Sequence, residues 1–186
     1  MVKVYAVRIG NKYGPECEDY LKEKIPGITF INKSTNPFIL QWNKLRFMDL
    51  NIDEPICVID VDIGLFNNYN ELFNYPIKKG EFISIPSWWK DTHDSKYTIN
   101  GGFYKYYPKE CKYVFNRFRE KPEYYTTKYI INKTTVGPVN GEQYFVEDTV
   151  RENLEIKTVP EWWVQRAVNG QFFQDGEVKL VHYSWQ

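Results

Sequence analysis

Two carboxylates two residues apart, Asp60 and Asp62, follow directly on four apolar residues, Ile56-Cys57-Val58-Ile59. A short, mostly β-branched apolar run predicts a strand buried on both faces, the usual state of a central parallel strand. Burying ionised aspartates at the end of such a strand is costly unless a cation or hydrogen bonds compensate. Ligands of open α/β sheets collect at the carboxyl ends of the strands. An Asp-x-Asp there points to a hard divalent cation, and such a cation commonly carries a phosphate. A turn or helix cap beside Gly64 is the plainer account of the same two residues.

Other side chains carry chemistry with less force. His182, near the chain's end, is a candidate metal ligand or a core-edge histidine. Lys44 is a phosphate contact or a solvated helix flank. Asn100-Gly101-Gly102 reads as a tight turn, or as a place where a ligand approaches the backbone. Glu142 and Gln143 begin a helix, where an acid is favoured by the dipole in any case. Arg8, at the end of the first strand, and Tyr13 are candidate nucleotide contacts, as is Val61 between the two aspartates. The tryptophan pairs Trp88-Trp89 and Trp162-Trp163 are stacking platforms for sugars or simply core.

The elements that must position these residues alternate in type. Strands are expected over 2–9, 28–31, 56–59, 82–85 and 178–183. Helices are expected over 16–24, from Asn36-Pro37 through Asp49, and over 108–119, 142–154 and 160–168. Gly64 to Tyr75 reads as a loop or short helix, 98–104 as a turn entering a strand, and 122–139 has no clear period. This pattern predicts one α/β domain over residues 1–186, with a mixed, mainly parallel central sheet flanked by helices.

Composition narrows the field. The 186 residues include 24 Lys+Arg and 24 Asp+Glu, so no bulk charge points to nucleic acid or an anionic membrane. Aromatics make up 18%, which suits stacking on flat ligands or sugars as well as a large aromatic core. Cys17, Cys57 and Cys111 have neither metal spacing nor a disulfide framework. With no signal peptide and no run long enough to span a bilayer, a reducing, cytoplasmic setting is expected.

In order and spacing these pieces resemble the retaining GT-A glycosyltransferases, in particular the glycogenin-like family. Lys44-Leu45 lies sixteen residues before Asp60, as that family's Lys-Leu helix precedes its Asp-x-Asp. Asn70-Glu71-Leu72-Phe73 matches the acidic Leu-Phe segment, Asn100-Gly101-Gly102 the Asn-Ser-Gly motif, Gly141-Glu142-Gln143 the Gly-Asp-Gln motif, and His182-Tyr183 the final His-Phe pair. Gly101 for Ser and Glu142 for Asp are departures. The family's Gly-x-x-Lys-Pro-Trp segment after the final histidine is not seen before Trp185-Gln186, so this chain is also readable as a domain of a longer polypeptide.

The resemblance implies a GT-A fold and transfer of a sugar from a nucleotide-diphosphate sugar, a UDP-sugar foremost, to a carbohydrate or glycan acceptor. It implies Mn²⁺ or Mg²⁺ on Asp60, Asp62 and His182, with Lys44 near the phosphates or donor sugar. Asn100, Glu142 and Gln143 would face the transferred sugar, and Gly101 and Gly102 would let it approach the backbone. Lys44 or Arg46 could supply the charge of the absent lysine. Two other readings stay open: a haloacid-dehalogenase-like phosphatase, which the Ile63-Gly64-Leu65 sequel fits poorly, and an inactive carbohydrate-binding module of the same fold.

Overall fold

The computed structural model describes residues 2–87, 96–131, 141–168, 170–172 and 176–183. Its centre is a six-stranded sheet of β1 (Lys3–Val7), β2 (Thr29–Ile31), β3 (Ile56–Ile59), β5 (Glu81–Pro86), β6 (Ile99–Tyr106) and β7 (Glu155–Thr158), in the order β2-β1-β3-β6-β5-β7. A smaller sheet has the order β4-β9-β8, from β4 (Ile63–Leu65), β8 (Val164–Arg166) and β9 (Leu180–His182). The helices are α1 (Pro15–Lys24), α2 (Asn70–Phe73), α3 (Pro108–Glu120), α4 (Pro122–Ile131) and α5 (Glu142–Val150).

β3 is the interior strand its apolar run predicts, parallel to β1 and antiparallel to β6, with all four residues buried. Alternation sends Ile56 and Val58 to one face and Cys57 and Ile59 to the other. The first face packs on aromatics of α3, α5 and a run of 3-10 turns over Leu40–Asp49. The second packs on α1, α2 and the small sheet. The result is a layered α/β domain in which parallel pairings hold β2 to β1, β1 to β3 and β5 to β7, while β6 runs against both of its neighbours. All three cysteines are free thiols.

Several sequence expectations give way here. The helix expected from Asn36-Pro37 begins instead at Leu40 with 3-10 spacing, which still buries Phe38, Trp42 and Leu45. Residues 160–168 hold a single 3-10 turn at Glu161–Trp163 followed by β8, because Val164 to Arg166 pairs with β9. A short apolar run cannot be assigned to helix or strand by period alone. β7 went unanticipated, since Glu155-Ile156-Lys157-Thr158 is a polar edge strand. α4 forms where no period was evident, and Asn100-Gly101-Gly102 lies inside β6 rather than in a turn.

β6 is irregular at its two glycines. Its register with β5 shifts between Ser84, opposite Tyr104, and Ile85, opposite Asn100. Gly101, Gly102 and Phe103 thus bulge out of the ladder with β5, while Phe103 stays paired with Ile59 of β3; bulges are common next to functional sites. The wholly buried Ser84 hydroxyl lies 3.0 Å from the Asn100 carbonyl and 2.9 Å from that of Phe103, so it can satisfy one of the carbonyls the bulge releases.

Candidate functional site

Asp60 leaves β3 with its N–H donated to the Gly102 carbonyl at 3.1 Å. Two residues on, the Asp62 carbonyl accepts the N–H of Tyr183 at 2.8 Å, and β4 pairs with β9 so that Ile63 faces His182. The small sheet therefore carries β9, the last strand among the described residues, onto the end of the central one. His182 Nε2 lies 3.6 Å from Asp60 Oδ2 and 3.6 Å from Asp62 Oδ1. One ligand atom from each of the three falls within 4.8 Å of the others. Metal–ligand bonds of about 2.0–2.6 Å would span such a set. Two hard oxygens and one imidazole suit Mn²⁺ well, and three protein ligands leave coordination positions for phosphate oxygens.

Each carboxylate is held from behind. Tyr13 donates to Asp62 Oδ2 at 2.5 Å. Lys44, almost completely enclosed, reaches Asp60 Oδ1 at 2.5 Å and the Gly101 carbonyl at 2.8 Å, with Glu142 Oε2 3.8 Å away. Lys44 is thus an internal counter-charge rather than the solvated flank of the plainer account. Outer partners of this kind fix the orientation of metal ligands.

The electrostatics follow from burial and neighbours. Burial would raise Asp60, but the Lys44 ammonium and His182 hold it down at about 2. Asp62 is raised, first by burial and then by the charge of Asp60, against the opposing pull of His182. Burial lifts Glu142 to about 7, with Lys44 opposing and Asp60 reinforcing. Burial, then Asp62, raises the Tyr13 phenol far above its ordinary value.

Glycine is required at Gly102 by close approach. Neither Gly101 nor Gly102 has positive φ, contrary to the tight-turn account. A Cβ on Gly102 would lie 2.8 Å from His182 Cδ2 and 2.9 Å from Asn100 Oδ1. Asn100 itself turns inward to accept the Gly102 N–H at 2.7 Å, and Gln143 Oε1 accepts the Gly101 N–H at 3.0 Å. Glu142 Oε1 and the Tyr104 hydroxyl are buried, and the phenol pairs with the carboxyl and helps Lys44 hold its pKa down against burial. Tyr104 was not anticipated; only its place two residues after the double glycine could have marked it.

Other expected contacts lie elsewhere. Arg8 turns to Glu18 on α1, and the Val61 side chain is buried in the core beneath the small sheet. Arg46 donates to the Lys33 carbonyl and to Asn43 Oδ1. Trp163 packs against Lys179 and Tyr75, while Trp162 is 65% exposed; both precede β8, at the end away from His182. Trp88-Trp89 lies outside the described residues. No helix among the described residues is long and apolar enough to cross a membrane.

Neither a family model nor a curated protein sequence matches the chain. Solved structures do. The galactosyltransferase LgtC, in complex with donor and acceptor sugar analogues, matches with a TM-score of 0.60 and 10% identity, over 98% of this chain and 87% of its own. A glycosyltransferase involved in glycosylation of the major capsid of PBCV-1 matches with a TM-score of 0.55 and 13% identity, over 97% and 92%. The glycosyltransferase GlyE of Streptococcus pneumoniae TIGR4 gives 0.55 and 12% over 88% of this chain, which spans only 46% of GlyE. At these identities the likeness speaks to architecture: the chain has the GT-A-like fold of these glycosyltransferases.

Proposed function

We propose that residues 1–186 form one metal-dependent glycosyltransferase domain, which moves a sugar from a nucleotide-diphosphate sugar to a carbohydrate or glycan acceptor. The observation that carries this reading is the meeting of Asp60, Asp62 and His182 at the carboxyl end of β3, within a GT-A-like fold. Mn²⁺ or Mg²⁺ would be held by those three side chains, and when bound it would act as a Lewis acid toward the donor diphosphate. A UDP-sugar is the foremost donor by motif order, which is also what favours the glycogenin-like family among GT-A enzymes.

The chain's own residues then have definite tasks. Tyr13 and Lys44 keep the two carboxylates turned toward one another and toward His182. The bulge brings the Gly101-Gly102 backbone against the site, and the missing side chains leave room for His182, Asn100, Tyr104 and Gln143 to close in around it. Glu142, enclosed beside Lys44 and paired with the Tyr104 hydroxyl, would brace the floor on which the transferred sugar lies. Asn100 and Gln143 spend their oxygens on the glycine N–H groups, so their contribution to the sugar would come through the side-chain amide donors.

Calorimetric titration of Mn²⁺, followed by UDP-sugars, tests the reading. Wild type should bind the nucleotide sugar only with metal present. Asp62→Ala should abolish that metal-dependent binding while the far-UV circular dichroism of the fold is retained. Tight nucleotide-sugar binding that ignores a chelator would overturn the metal-dependent mechanism.

A further inference from the structure

β8 runs parallel to β9 with Arg166 in register with His182, and the Ala167 N–H is donated to the His182 carbonyl at 2.9 Å. Residues in register on neighbouring strands share a face, with strands about 4.8 Å apart. The packing separates the two faces. Ala167 and Val181 belong to a small apolar cluster on one side, while Ile63 and Leu180 belong to the core beneath the central sheet on the other. Arg166 alternates with Ala167, so it stands on the same face as Ile63 and His182, at the outer edge of the small sheet and half-exposed.

Like Arg166, the other cations around the centre have contacts with protein, and they stand on other elements. Lys44 is enclosed between Asp60 and Glu142, Arg46 bonds to Lys33 and Asn43, and Arg8 pairs with Glu18. Lys12 lies over the Tyr13 ring, on the Asp62 side. We propose that Arg166, on the His182 side, is the residue that contacts the diphosphate of the donor; the inference rests on the proposed glycosyltransferase function. A guanidinium presents five donors in a planar fork matched to phosphate oxygens, so contacts with protein still leave donors for the ligand.

The chemistry makes such a cation useful. On transfer, the bond between the anomeric carbon and the diphosphate oxygen breaks, and its electron pair stays on that oxygen. The acceptor hydroxyl oxygen bonds to the same carbon, and its proton passes to water. The leaving diphosphate gains a negative charge that the bound donor did not carry. A guanidinium beside it therefore stabilises the products' side of the step more than the ground state.

The test titrates the Mn²⁺-loaded chain with inorganic pyrophosphate, UDP, GDP and UMP. Arg166→Ala should weaken pyrophosphate and diphosphate binding by about tenfold or more, the scale of losing a charged hydrogen bond. It should weaken UMP much less and leave Mn²⁺ binding and the melting temperature unchanged. Arg166→Lys should fall between, and Lys12→Ala should spare pyrophosphate. Unchanged diphosphate affinity in Arg166→Ala, or a loss of Mn²⁺ binding and stability along with it, overturns the assignment and leaves the functional reading intact. Failure of wild type to bind pyrophosphate or any nucleoside diphosphate with Mn²⁺ overturns both.

Discussion

Lys44 is an ammonium almost wholly withdrawn from water, and Asp60 and Glu142 explain how it stays charged. Burial pulls its pKa down, but the two carboxylates outweigh that and raise it. Its charge is used twice: Asp60 is held ionised, while Glu142, 3.8 Å away, is compensated only in part and rises to about 7. Between the ordinary glutamate value of 4.5 and about 7, the folded chain keeps a proton that the unfolded chain has released. Stability should therefore fall as pH rises through that window, by roughly 3 kcal/mol for this group alone. Glu142→Gln cannot ionise, so urea unfolding from pH 4.5 to 7.5 should show a flatter decline, with a residual slope of the same sign from the raised Asp62. An unaltered slope in the variant would mean that Glu142 is ionised throughout.

At the scale of elements, the bulge in β6 and the small sheet decide which side chains meet. Gly101 and Gly102 are neighbours, yet their surroundings differ. A Cβ on Gly101 would press on the Tyr104 hydroxyl at 3.2 Å and Gln143 Oε1 at 3.3 Å, contacts that a shift of a few tenths of an ångström relieves. A Cβ on Gly102 would collide with the His182 ring and Asn100. Gly102→Ala should thus cost about 1–3 kcal/mol as an overpacked site and displace His182, weakening Mn²⁺ binding; Gly101→Ala should do much less. Melting curves and Mn²⁺ titrations on both variants check this, and equal effects would contradict it. β3 was legible because a continuous apolar run ending in two aspartates has few other solutions. The bulge was not, because it depends on the register with β5, and Ser84 carries no local sign of bridging it. β8 and Arg166 were hidden for a related reason: an edge strand of three residues is defined by its partner, not by its own period. The burial of Lys44 likewise follows from where Asp60 and Glu142 arrive.

At the scale of the molecule, the candidate centre draws on both ends of the chain. Tyr13 comes from the segment after β1, the aspartates from the end of β3, and His182 from β9, the last strand among the described residues. Motif order in the sequence could suggest that meeting, but only the pairing of β4 with β9 brings it about. An ion bound there would tie the central sheet, through Asp60, to the small sheet, through His182. Anything that binds the folded state alone stabilises it by mass action, about 2.7 kcal/mol at a hundredfold excess over Kd. For a chain of this length that corresponds to a rise in Tm of about 5–10 °C. Mn²⁺ should produce that rise in wild type, and a chelator should remove it. His182→Ala should lose most of it, measured against the variant's own metal-free Tm, because the imidazole lies beside both carboxylates. Hydrogen exchange supplies the spatial half of the test: Mn²⁺ should slow the amides of β4 and β9 and leave the polar edge strand β7 as it was. A metal-induced rise in His182→Ala equal to that of wild type, or protection spread evenly over both sheets, would show that the closing strand is no part of the centre.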